Sequence, residues 1–101
     1  MTQNKRSVGT GTVWEELAGY SRAVRIGDRI LVSGTTATGP DGRVVGKGNA
    51  AAQARAVLDK IEWAIQQLGG ALADVVRTRV YVRNLADWEA VARVHGERFA
   101  A

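Results

Sequence analysis

At 101 residues, 46% of them hydrophobic, the chain has room for one domain with a modest core, and residues 1–101 read as a single unit. With no cysteine, disulfides, thiolate chemistry and cysteine–zinc sites are excluded; with His95 as the single histidine, no metal and no other cofactor is expected. The net charge of +4 comes from basic residues dispersed among ten acids with little aromatic interleaving, so nucleic acid is not the expected partner. No apolar run approaches membrane-spanning length, and Met1–Arg6 carries charge without an apolar stretch behind it, so the expectation is a cytoplasmic protein without a membrane partner.

Residues up to about Ala18 show no sustained period, with Trp14 and Leu17 as the expected anchors. Tyr20 to Ile26 alternates, with Val24 and Ile26 set against Ala23 and Arg25. Gly27-Asp28 follows, then Arg29 to Gly34 with Ile30 and Val32 on one face; glycine first in a two-residue loop predicts a β-hairpin with a type II′ turn. Gly39-Pro40-Asp41-Gly42 predicts a turn, because proline presets φ at its second position, and a short strand around Arg43–Val45 is expected after it.

Asn49 is placed to cap a long helix whose stripe is Ala54, Val57, Leu58, Ile61, Ala64, Ile65 and Leu68, at three- and four-residue steps. Gly69-Gly70 ends it. Trp63 lies off the stripe and reads as a contact for a second subunit. Val75 to Arg83 alternates cleanly: Val76, Thr78, Val80 and Val82 would meet the helices, while Arg77, Arg79, Tyr81 and Arg83 form the other face. Asp87 starts a last helix with Trp88, Val91, His95 and Phe99 on one side. The order β-β-(β)-α-β-α predicts an α+β fold, with two helices packed on one face of a mixed sheet.

Gly46-Lys47-Gly48-Asn49-Ala50-Ala51 spells G-x-G-x-x-A ahead of a helix. The preceding strand is very short and no acid ends a strand about 20 residues on, so it reads as a helix-entry loop and not a dinucleotide site. Ser33 lacks the G-x-S-x-G turn of a serine nucleophile, and His95 sits where a packed histidine belongs. Arg77, Arg79 and Arg83 on one strand face are either solvated or a site for an anion.

Three stretches together carry a resemblance. Gly19-Tyr20-Ser21-Arg22-Ala23-Val24 resembles a P-Y-S-Q-A-V entry into a first strand, and Arg29-Ile30-Leu31-Val32-Ser33-Gly34 a second strand ending in V-S-G. Ala52-Gln53-Ala54-Arg55 and the run from Leu68 to Trp88 are similar to the long helix, the following segment and the start of the last helix of the Rid (YjgF-like) family. The resemblance implies a chorismate-mutase-like subunit in a homotrimer, with a pocket for a small 2-imino or 2-keto acid at each subunit boundary. It implies cofactor-free hydrolysis of imines and enamines to 2-keto acids and ammonia. Tyr20 would wall the pocket and Gly34 would contribute backbone groups. In the family the carboxylate-gripping arginine and the acid come from an R-P-x segment and closing strands after the last helix. This sequence ends two residues after Phe99, so it is read as truncated relative to the family, with no catalytic residue assigned and deaminase activity expected to be weak. Arg79 and Arg83 are then the candidate substrate contacts beside Tyr20 and Gly34. A non-catalytic trimeric keto-acid-binding protein is the alternative, and a nucleic-acid-associated protein a third reading.

Overall fold

The computed structural model describes residues 4–100. Three short strands, β1 (Lys5–Val8), β2 (Ala23–Ile26) and β3 (Arg29–Val32), form an antiparallel sheet in the order β1-β2-β3. Helix α1 (Val13–Ala18) lies between the first two, and α2 (Ala50–Gln67) and α3 (Trp88–Phe99) follow, so the chain is α+β. The β2–β3 hairpin closes on Gly27-Asp28 with Ile26 opposite Arg29. Gly27 takes φ +59° and, among the described residues, no non-glycine residue has positive φ, as the expected II′ turn requires.

Register decides which face of the hairpin is buried. Ala23 stands between Val8 and Val32, and Arg25 pairs with Ile30, so the face toward α2 carries Ala23 and Arg25. Val24 and Ile26, read from sequence as the apolar side of β2, point the other way with Leu31, whose surface is 60% exposed. The core consists of Ala23, Ala64 and Leu68, flanked by Val8, Ile30 and Val32. An arginine is tolerated on this face because Arg25 and Arg6 both donate to the Leu68 carbonyl, at 2.8 and 3.3 Å. They satisfy the C-terminal end of α2, where cations are favoured.

Helix α2 begins as expected: the Asn49 side chain accepts from the Ala52 N–H at 3.0 Å. It ends in a Schellman arrangement, with Gly69 at φ +87° and the Gly70 N–H returning to the Ile65 carbonyl at 3.0 Å. Helix α3 lies alongside α2, held by buried Val94 and by Arg98, which bonds Asp59 and faces Glu62 at 3.8 Å.

Four expectations need correction. Residues 5–18 hold β1 and α1, although no period marks them. Trp14 and Leu17 are not anchors: both are exposed, and α1 is held instead by buried Glu15. Around Arg43–Val45 there is a single bridge, Thr38 to Val44, beyond the Gly39–Gly42 turn. The fourth is the run 75–83, which forms no ladder among the described residues. Its alternation is real, since Thr78 Oγ1 meets His95 Nε2 of α3 at 2.8 Å. A strand, however, is defined by a neighbour that takes its backbone hydrogen bonds, and the sheet stops at β3. Val76 is consequently 99% exposed.

Candidate functional site

The most heavily hydrogen-bonded part of the molecule lies where α1, the start of β2 and the segment after β3 meet. Thr12-Val13-Trp14-Glu15 opens α1 in the T-x-x-E pattern of a capping box. Thr12 caps the helix and also donates its hydroxyl to Glu15 Oε2 at 2.9 Å. The Glu15 carboxylate reaches back past the cap to Thr10, accepting from its N–H at 3.0 and 3.2 Å and from its hydroxyl at 2.5 Å. Arg22 Nη2 completes the set at 3.3 Å. Burial alone would raise the pKa of Glu15; the bonds from Thr10, Thr12 and Arg22 outweigh it and lower the value from 4.5 to about 2. Glu15 is therefore a fixed anion at neutral pH.

Arg22 is 3% exposed and is the hub of this region. Its Nη1 donates to the Gly34 carbonyl at 2.5 Å and to Thr35 Oγ1 at 3.0 Å. Its guanidinium carbon lies 5.5 Å from the centroid of the Tyr20 ring, a cation–π arrangement. The Nε–H has no partner among the described residues. From α2, Lys60 donates to the Thr36 carbonyl at 3.0 Å and approaches Thr38 Oγ1 at 3.4 Å. Partial burial lowers the Lys60 pKa first, and the charge of Arg22 lowers it further against the opposing pull of Glu15.

Tyr20 and Gly34, both expected from sequence, are thus brought together through Arg22. Arg79 and Arg83 are not joined to them. Both lie exposed on the 75–83 run, where Arg79 Nη1 is 3.5 Å from the Tyr81 hydroxyl. Arg22, Glu15 and Lys60 were missed by the sequence reasoning. The T-x-x-E capping pattern was a usable signal for Glu15, and an arginine next to a strand residue as small as Ala23 was a weaker one for Arg22. Nothing local marks Lys60, because its partners lie more than 20 residues away.

Among the described residues, two of the clefts are shallow and lie apart. One, about 410 Å³, lies between Gly9-Thr10 and the α2 residues Ala56, Asp59, Lys60 and Trp63. The other, about 380 Å³, separates Thr78, Val80 and Val82 from Trp88, Val91 and His95. His95 packs on Phe99 with ring centroids 4.5 Å apart, as expected of a packed histidine. Gly46 and Gly48, at φ +68° and +75°, form the loop entering α2, with the Gly46 carbonyl accepting from Asn49 and Gln53. Among the described residues no three His, Cys, Asp or Glu side chains stand together as a metal site, and no helix is long and apolar enough to cross a membrane.

Comparison with known proteins gives a consistent set of matches. The family model described as Endoribonuclease L-PSP matches residues 12–101. An uncharacterized protein of Streptomyces coelicolor is 39% identical over 94 residues, covering 93% of this chain and 69% of its own. The 3-aminoacrylate deaminase RutC of Acinetobacter baylyi is 36% identical over 83 residues, 82% of this chain and 66% of its own. Among solved structures, a Mycobacterium tuberculosis protein described as a member of the YjgF/YER057c/UK114 family superposes with a TM-score of 0.83 at 44% identity. That match covers 95% of this chain and 75% of the other. The Escherichia coli YjgF gene product superposes with a TM-score of 0.77 at 28% identity, over 91% and 72% of the two chains. The chain thus spans roughly two thirds of the length of its curated relatives, 63% in the case of a RutC family protein of Pyrococcus abyssi.

Proposed function

This chain belongs to the Endoribonuclease L-PSP (YjgF/Rid) family, and from that premise we propose that it binds a small 2-imino or 2-keto acid against Tyr20 and Gly34 and hydrolyses the imine or enamine. An enamine first takes a proton on its β-carbon to become the imine; water then adds across the C=N bond, a proton moves to nitrogen, and the C–N bond breaks as the new hydroxyl loses its proton, leaving a keto acid and ammonia. The observation that carries this reading is the bridging of Tyr20 and Gly34 by one buried guanidinium. It fixes the aromatic wall and the backbone edge of the site before any ligand arrives. The deaminase name of the Acinetobacter relative supports the reaction class.

The proposed working unit is a cytoplasmic homotrimer without cofactor. Its support is the sheet face opposite α2, where Leu31 lies open beside half-buried Val24 and Ile26, together with exposed Trp63. In such an assembly Arg79 and Arg83 reach the pocket from a neighbouring subunit and add a two-pronged contact to the carboxylate.

One observation favours the non-catalytic reading. Glu15 is the acid nearest the Arg22 hub, and with a pKa of about 2 and all its bonds engaged it is a poor proton acceptor at neutral pH. A coupled assay that generates 2-aminoacrylate and follows ammonia release separates the two. Release above the uncatalysed rate supports the hydrolase; pyruvate binding without release supports the ligand-binding protein.

A further inference from the structure

We propose that Arg22 and Lys60 are positioning residues, which together hold residues 33–38 so that the backbone N–H groups beside Gly34 face a ligand carboxylate. The inference rests on the small-acid reading above and extends it: Arg22, which there bridges Tyr20 and Gly34, acts together with Lys60, which that reading does not use. Its basis is an asymmetry in the hydrogen bonding of this segment. Three of the carbonyls are taken from within: Ser33 by the Thr35 hydroxyl at 2.8 Å, Gly34 by Arg22 at 2.5 Å, and Thr36 by Lys60 and by the Thr38 N–H, both at 3.0 Å. The N–H groups of Gly34, Thr35 and Thr36 have no partner among the described residues.

The carbonyl and the following N–H of a trans peptide point in opposite directions. Drawing the Gly34 carbonyl onto Arg22 therefore turns the Thr35 N–H away from the guanidinium, and occupation of the Ser33 carbonyl turns the Gly34 N–H away from the Thr35 hydroxyl, which is itself bonded to Arg22. Arg22 can do this because it is itself fixed, through Nη2 to Glu15 and by the Tyr20 ring. Lys60 holds the far end of the same segment from α2, where a half-buried stem limits its freedom. Two cations behind the segment also make its exposed side favourable for an anion. A lysine in place of Arg22 could not bond Gly34, Thr35 and Glu15 together, since it lacks the planar fork.

The test uses the ¹⁵N-labelled chain and follows the amide signals of Gly34, Thr35 and Thr36 by NMR. Sodium acetate, pyruvate and the neutral analogue pyruvamide are titrated against the unaltered protein, Lys60→Gln, Arg22→Gln and Arg22→Lys. Acetate is expected to move these amides in the unaltered protein. Each substitution should weaken acetate and pyruvate by about fivefold or more while leaving pyruvamide within about twofold. A purely structural role would weaken all three alike. Lys60→Gln keeps the test decisive if the Arg22 variants do not fold, because Lys60 lies outside the buried Glu15–Arg22 pair. Absence of amide shifts with acetate, or full carboxylate affinity in Lys60→Gln, overturns the proposal. Acetate and pyruvate binding equally well would leave the positioning role standing and remove the keto-acid reading.

Discussion

Removing the Glu15 carboxylate is the most severe single change this structure identifies. Glu15→Ala deletes the acceptor for the Thr10 N–H and hydroxyl, the Thr12 hydroxyl and Arg22 Nη2, and leaves the Arg22 charge 3% exposed with one of its main partners gone. Breaking a buried pair from one side costs about 3–5 kcal/mol. The whole stability of a domain this size is about 5–15 kcal/mol, so the variant should sit near the unfolding threshold. The partner change predicts non-additivity. Glu15→Ala with Arg22→Met removes the stranded charge and should cost less than the two single changes summed, by at least about 1 kcal/mol. Urea unfolding followed by tryptophan fluorescence would measure all three, since Trp14 adjoins Glu15 in sequence. The pH dependence has a definite sign. The pKa of Glu15 is depressed in the folded state, so its contribution is complete above pH 4.5 and is lost as pH falls toward about 2. Glu15→Gln should flatten that window. Strictly additive single costs, or an unchanged acid limb in Glu15→Gln, would refute the assignment of Glu15 and Arg22 as one unit.

Tyr20→Phe retains the ring over Arg22 and removes only the hydroxyl, so pyruvate binding should weaken by about 0.5–1.5 kcal/mol if that hydroxyl bonds the ligand. Calorimetry on both forms decides it, and equal affinities would leave Tyr20 as a wall of the site alone. Light scattering at micromolar concentration should give a trimer mass, and Leu31→Glu, on the open sheet face, should shift it to the monomer. A monomer in the unaltered protein would refute a pocket shared between subunits.

The sequence carried the elements whose signals are local. Asn49, the α2 stripe and Gly69-Gly70 delimit α2 because capping and left-handed termination involve residues within one turn. Gly27-Asp28 set the hairpin for the same reason. Which face of β2 is buried was not legible, because alternation alone does not say which parity meets the core. Val24 and Ile26 are larger than Ala23, yet register places Ala23 between Val8 and Val32 under α2. Tyr20 and Gly34 enter as candidates through family resemblance alone, whereas Arg22 does not stand out in the sequence, since its partners at positions 15, 34 and 35 are brought to it only by the fold.

The same limit explains the 75–83 run, and ties it to the site. Its period-2 pattern specifies two faces, and the face carrying Thr78, Val80 and Val82 does turn toward α3. Pattern cannot supply the neighbour that would make the run a strand. Left exposed, a row of Arg77, Arg79 and Arg83 beside apolar Val76 and Val80 is poorly matched to water on one side and self-repelling on the other. Assembly with other copies would answer both problems at once, covering the apolar positions and giving the arginines an anionic ligand to share. The buried Arg22, in contrast, already has its countercharge in Glu15. On the proposed reading the two kinds of arginine divide the work: Arg22 would shape the site within one subunit, and Arg79 and Arg83 would reach it from a neighbouring one.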